Sequence, residues 1–195
     1  MKLWEYKDYE EYKFVQVATN VRKVSSVWEQ KPCIEVIADV IKRRIPNVSL
    51  GICHGTRRGK EQEWFREILN VDVIGTEISH TATDFPHTVE WDFHEVKDEW
   101  IDSFDFVYSN SFDHTYDPKK ALKAWATCLK PEGYLILQWS IEHSRTGSRH
   151  DPFAATLTEL IDLLFDEGFE LEEIHRVPRT ECRSWALFLT KHRKG

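Results

Sequence analysis

Between Ile45 and Glu77 the chain passes through an apolar strand, a turn containing glycines, an amphipathic helix, a second apolar strand and then a carboxylate. Few folds accept that order. Two strands joined by a helix pair in parallel, and a parallel sheet is covered by helices on both faces. The turn reads Gly51-Ile52-Cys53-His54-Gly55-Thr56-Arg57-Arg58-Gly59, and Glu77 lies 22 positions beyond Gly55. In a βαβ unit this spacing sets backbone N–H groups and a helix N-terminus at the carboxyl edge of the first strand. The acidic side chain stands at the end of the next strand, where it can accept from ribose hydroxyls. A nucleoside is the ligand class such an edge suits.

The rest of the pattern repeats this alternation. Phe14, Val15, Val17, Ala18, Val21, Val24 and Val27 recur at helical spacing from about Tyr9 to Trp28, and Pro32 restarts a helix through Val36, Ile37, Val40 and Ile41. Val48, Leu50 and Ile52 alternate as the first strand, and Lys60 to Leu69 predicts the helix after the turn. Val71–Ile74, Val89–Phe93, Phe104–Tyr108 and Tyr134–Gln138 read as further strands, with Pro118–Leu129 a helix. The segment from Ser79 to Pro86 is too short and polar for a full crossover helix. Pro152 predicts the start of a helix that Gly168 closes. Phe169–Val177 and Arg183–Thr190 are both strand-like, and the five residues Pro178–Cys182 between them are too few for a parallel crossover. The sheet is therefore expected to end in an antiparallel hairpin. The fold class is α/β: a three-layer, Rossmann-like, seven-stranded sheet, mostly parallel, with two N-terminal helices.

Composition narrows the function. The chain has 195 residues, 41% of them apolar, which suits one domain with one substantial core. Residues 1–46 are expected as a helical cap and residues 47–195 as the Rossmann-like core. Net charge is −7, and the basic residues cluster only in short runs such as Lys42-Arg43-Arg44 and Arg57-Arg58-Gly59-Lys60. Duplex binding draws on a broader basic surface, so no nucleic-acid partner is expected. No apolar run approaches the roughly 20 residues that span a bilayer, so no membrane partner is expected. Four scattered cysteines without ligand spacing, and a start that is not a signal peptide, point to a reducing cytoplasmic setting.

Five parallel strands with alternating helices, then a helix and an antiparallel hairpin, resemble the class I S-adenosylmethionine-dependent methyltransferases. The resemblance covers about Asn47 to Thr190. In that family the first strand ends in an acidic residue followed by three alternating glycines; Gly51, Cys53, Gly55 and Arg57 fall at those positions, so one of the four is retained. Arg57 or Arg58 is a candidate for the cofactor's carboxylate. Glu77, followed by Ile78, falls where the family binds the ribose diol. Asp92 and Phe93 resemble the pair that meets adenine, with a turn-forming aspartate as the alternative. Phe104 to His114 resembles the fourth strand and its loop. The continuation through Asp117, Ala121, Leu122, Leu129, Lys130, Pro131 and Gly133 resembles a run found in small-molecule branches.

The resemblance implies S-adenosylmethionine as cofactor, held by the turn residues Gly51, Cys53, His54, Gly55 and Arg57 together with Glu77, Ile78, Asp92, Phe93, Asn110 and Ser111. His114 is the candidate base beside it, because imidazole titrates near neutrality; packing or capping of the next helix is the alternative. The loop Ser140–Asp151 follows the fifth strand at the same edge, and its His143, Arg145 and His150 suit a polar acceptor. Tyr12, Gln16, Asn20 and Lys23 share one face of the first helix and could close over the pocket. Asp113, His114, Glu142 and His143 lack local ligand spacing, so no metal is expected. The expected activity is methyl transfer to a small polar acceptor: a metabolite, a saccharide or a natural-product intermediate. A non-catalytic S-adenosylmethionine-binding protein, and another nucleotide-binding Rossmann-like enzyme, are the alternatives.

Overall fold

The computed structural model describes residues 1–142 and 147–192, so His143 and Arg145 lie outside the described residues. In chain order the elements are β1 (Lys2–Leu3), α1 (Tyr9–Arg22), α2 (Lys31–Arg44), β2 (Leu50–His54), α3 (Lys60–Leu69), β3 (Asp72–Glu77) and β4 (Thr88–Glu90). They continue as β5 (Phe104–Ser109), α4 (Pro118–Cys128), β6 (Leu129–Ser140), β7 (Phe153–Ala154), α5 (Leu157–Asp166), β8 (Phe169–Val177) and β9 (Ser184–Lys191).

Seven strands form one sheet in the order β4-β3-β2-β5-β6-β9-β8. The first five pair in parallel, and β9 runs antiparallel to both β6 and β8. The short connection after Val177 produces the terminal hairpin that its length dictates. Strand side chains alternate between two cores. On β9, Leu187 and Leu189 join α4 and α5 through Leu122, Trp125, Leu160 and Leu164. Ala186 and Phe188 face the other way, toward Ile34, Ile37 and Ile41 of α2 and Phe65 of α3. Both sheet faces are thus covered, as parallel strands require.

Asp105 ties three strands together at the amino edge. Its Oδ2 accepts from the backbone N–H groups of Ser49 and Leu50 at 2.8 and 2.9 Å, and its Oδ1 from Lys130 Nζ at 2.7 Å. Burial works against this charge, but the Lys130 bond and the two N–H groups outweigh it and hold the carboxyl below its ordinary value.

Some expectations need correction. Helix α1 ends at Arg22, not near Trp28, because Lys23 leaves helical geometry and its N–H turns back onto the carbonyls of Thr19, Asn20 and Val21. Its buried face is Tyr12, Val15, Gln16 and Thr19, while Phe14 is 71% exposed. The helix is seated on its polar stripe because it lies over a polar strand edge. Pro152 does not open α5: Phe153 and Ala154 pair with Lys2 and Leu3, and Thr156 starts the helix with a reciprocal capping box to Glu159. The fifth parallel strand begins at Leu129, with a register shift opposite Phe104–Phe106, so the expected turn at Lys130–Gly133 lies within the strand. The third parallel strand is shorter than expected, Thr88–Glu90.

Candidate active site

The carboxyl ends of β2, β3, β4 and β5 converge beneath α1. At the end of β2 the backbone turns through Gly55 (φ +74) and Arg57 (φ +47). A Cβ on Gly55 would stand 2.7 Å from Ser111 Cβ, so the turn and the loop after β5 meet closely only because this residue is glycine. A left-handed arginine costs about 1–2 kcal/mol. Here it directs the Arg57 N–H onto Glu77 Oε2 at 3.1 Å.

Glu77 is 2% exposed, and its Oε1 accepts from Asn20 Nδ2 at 2.7 Å and from the Ser79 N–H at 2.9 Å. Asp92 accepts from the Tyr9 hydroxyl at 2.8 Å and lies 2.6 Å from His94 Nδ1, whose Nε2 is 2.6 Å from Thr115 Oγ1. Burial opposes the Asp92 charge, but the bonds from His94 and Tyr9 hold its carboxyl below the ordinary value. Two carboxylates at successive strand ends thus border one cleft, and α1 bonds to both.

Two cavities share this cleft, separated at Gly55, Arg57, Ser111 and His114. The smaller, bordered by Tyr12, Glu77, Ile78, Asp92 and Phe93, holds about 30 Å³, roughly one water's share of liquid volume. Asn20 and Tyr9 hold hydrogen bonds to the two carboxylates there. The larger holds about 200 Å³ and is lined by the basic residues Lys23, Arg57, Arg58 and Lys60 and the acidic residues Glu61, Asp113, Glu142 and Asp151. His114 borders both. Ligand atoms of Asp113, His114 and Asp151 lie within 4.8 Å of one another.

Residues 51–137 match a family model described as a methyltransferase domain. The matched stretch is that of a methyltransferase domain, and the chain shares the fold of S-adenosylmethionine-dependent methyltransferases. No curated protein matches the sequence. Among solved structures it is similar to the 1,6-didemethyltoxoflavin-N1-methyltransferase of Burkholderia thailandensis, with a TM-score of 0.77 at 16% identity over 97% of this chain and 92% of that one. It is also similar to a TehB-like methyltransferase of Corynebacterium glutamicum, with a TM-score of 0.62 at 16% identity over 93% of this chain and 98% of that one. A sugar N-methyltransferase from a Streptoalloteichus species gives a TM-score of 0.61 at 15% identity over 84% of this chain and 87% of that one.

The chain departs from the glycine turn of the methyltransferases it resembles for visible reasons. Gly51 stands at the usual acidic position, and a Cβ there would lie 2.2 Å from Phe106 Cζ. The Phe106 ring fills the space an acidic side chain would take. Cys53 is fully buried in the core beneath the turn. Burial and the neighbouring His94 push the His54 imidazole down to about 3, and the ring stacks on Trp125 at 5.1 Å. These three residues shape the turn from below and do not border either cavity. Arg57, at the position of the third glycine, is left-handed. The residues present suit the cofactor: a glycine cradle, a carboxylate at each of two strand ends, and basic side chains beyond.

Gly55, Arg57, Glu77, Ile78, Asp92, Phe93, Asn110, Ser111, His114 and Tyr12 border the cleft. His150 reaches it through its backbone: its carbonyl lies 3.1 Å from His114 Nδ1 and accepts from Gln16, while its ring meets Thr19. Sequence reasoning missed Glu61, Asp151 and Trp28, all of which border the larger cavity, and weighed Asp113 only as a metal ligand. For Glu61 a signal existed, because it lies four positions before the core residue Phe65, on the buried face of α3. The others come from loops, which carry no periodicity.

Among the described residues, no helix is long and apolar enough to cross a membrane.

Proposed function

We propose that the domain transfers a methyl group to an oxygen or nitrogen of a small polar acceptor, a metabolite, a saccharide or a natural-product intermediate, bound beside His114. The observation that carries this reading is the position of His114 at the boundary of the two cavities, between the cofactor carboxylates and the polar cavity of about 200 Å³. The methyltransferases of a toxoflavin precursor and of a sugar among the similar structures support an acceptor of that size class.

When bound, S-adenosylmethionine supplies a sulfonium methyl group open to in-line attack, so the protein's contribution is chiefly orientation. Glu77 would accept from the ribose hydroxyls in place of Asn20, and Asp92 with the backbone of Phe93 would face the adenine in place of Tyr9. The basic side chains Arg57 and Arg58 would meet the carboxylate. His114 Nδ1 lies 3.1 Å from the His150 carbonyl, which can only accept. Nδ1 therefore carries the proton, and Nε2 is the basic nitrogen of the neutral ring. It is placed to take a proton from an acceptor that must lose one. His150 and Tyr12 complete the proposed acceptor site.

Glu77→Ala tests the placement. Its charge would hold two ribose hydroxyls, so calorimetry should show affinity for S-adenosylhomocysteine reduced by about 1–3 kcal/mol. Unchanged affinity would remove Glu77 from the site.

A further inference from the structure

Glu61 opens α3 and is 5% exposed, yet it borders the larger cavity beside Gly55 and Asn110. A second buried carboxylate, Glu29, lies close by: one amide nitrogen, Asn110 Nδ2, donates to Glu61 Oε1 and to Glu29 Oε2, each at 3.2 Å. The two acids are not equivalent. Glu29 Oε1 lies 3.6 Å from Arg179 Nη1, and its Oε2 lies 3.0 Å from the Tyr108 hydroxyl. Glu61 has no ion pair among the described residues. Arg179 serves Glu29 and Glu181, and neither its guanidinium nor another described cation forms an ion pair with Glu61. A buried, unpaired carboxylate is costly, and Glu61 is the one that faces open space.

We infer that Glu61 is the counter-charge for the α-ammonium of the cofactor's methionine part. The inference rests on the cofactor placement proposed above. A nucleoside held by Glu77 and Asp92 would leave the larger cavity, which shares Gly55, to the amino-acid end. There Lys23, Arg57, Arg58 and Lys60 could meet its carboxylate, and Glu61 with Asn110 its ammonium.

The surroundings make this contact pH-dependent. The charged and titratable groups facing Glu61 are Glu29 ahead of α2, Cys53 and Arg57 on β2 and its turn, and Tyr108 on β5. Burial, reinforced by Glu29, pushes the Glu61 carboxyl up to about 7, although its backbone N–H, Asn110 and Arg57 act in the opposite sense. Pairing with an ammonium requires the ionised form. Binding therefore releases a proton wherever Glu61 is protonated beforehand, and affinity falls as pH drops below about 7.

The test pairs Glu61→Gln, which keeps the shape and the Asn110 contact, with two ligands: S-adenosylhomocysteine and its deaminated analogue, in which hydrogen replaces the ammonium. By calorimetry at pH near 7.5, Glu61→Gln should weaken S-adenosylhomocysteine by about tenfold or more, the scale of a hydrogen bond between charged groups. The deaminated analogue should change by less than about threefold under the same comparison. The wild-type advantage for S-adenosylhomocysteine should shrink toward pH 5.5, with no matching trend for the analogue. Equal loss for both ligands, or no loss for either, would overturn the inference while leaving the cofactor placement intact. Failure of the wild-type chain to bind S-adenosylhomocysteine would overturn the placement and the inference with it.

Discussion

Replacing His114 with alanine should lower kcat by about 10²–10⁴-fold on an acceptor that must lose a proton, while S-adenosylhomocysteine affinity stays within a few-fold of wild type. The reason is geometric. The ring is fixed at Nδ1 by the His150 carbonyl and by Gln16 Oε1, each at 3.1 Å. It therefore has one orientation and one basic nitrogen, at the junction of the cofactor and acceptor spaces. Neither Glu77 nor Asp92 bonds to it, so its removal leaves the nucleoside contacts in place. A parallel loss of cofactor affinity would instead make His114 a packing residue under the cofactor. An unchanged kcat would remove the base from the mechanism.

Trp125→Ala should destabilise the fold by about 3–5 kcal/mol, the cost of truncating a buried aromatic to alanine. Trp125 is fully buried, stacks on the neutral ring of His54, and meets Phe93 and Phe112 at 5.5 and 5.4 Å. Its indole N–H donates to the Phe93 carbonyl at 2.9 Å. Truncation opens a cavity and also strips that carbonyl of its donor. Because Phe93 follows Asp92 at the nucleoside end of the cleft, the same change should weaken cofactor binding. Urea denaturation reads the stability directly, and a loss below about 1 kcal/mol would show that the neighbouring rings close over the space.

The sheet was legible because its signals are local. Lys60–Leu69 reads as a helix, and the structure adds why it starts and stops there: Gly59 and Asn70, with φ of +72 and +56, sit at its two ends in left-handed geometry. The terminal hairpin followed from the length of one connection. Where α1 ends was not legible, because Val24 and Val27 continue the helical period into a segment that the chain uses to reach Arg57 and Arg58 through the carbonyls of Ser26 and Ser25. The pairing of β1 with β7 joins residues about 150 positions apart through two residues each, too few for any periodic signal.

The site was legible in its carboxylates and not in what covers them. Glu77 and Asp92 stand at strand ends, which pattern reveals. That Asn20 and Tyr9 bond to them depends on how α1 crosses the sheet edge, a tertiary fact. The polar stripe Tyr12, Gln16, Asn20 and Lys23 was readable as one helical face, and that face borders the cleft. Gly51 and Arg57 showed that the glycine turn was altered. The reason the Gly51 change is tolerated, an aromatic ring packed onto the backbone, belongs to Phe106, which is 55 positions away.

The most direct test of the account is calorimetric titration of the wild-type chain with S-adenosylmethionine, S-adenosylhomocysteine and NAD. A cleft built as described should bind the first two saturably and NAD not at all. Binding of NAD alone, or of none of the three, would contradict the assignment of Glu77 and Asp92 to this cofactor.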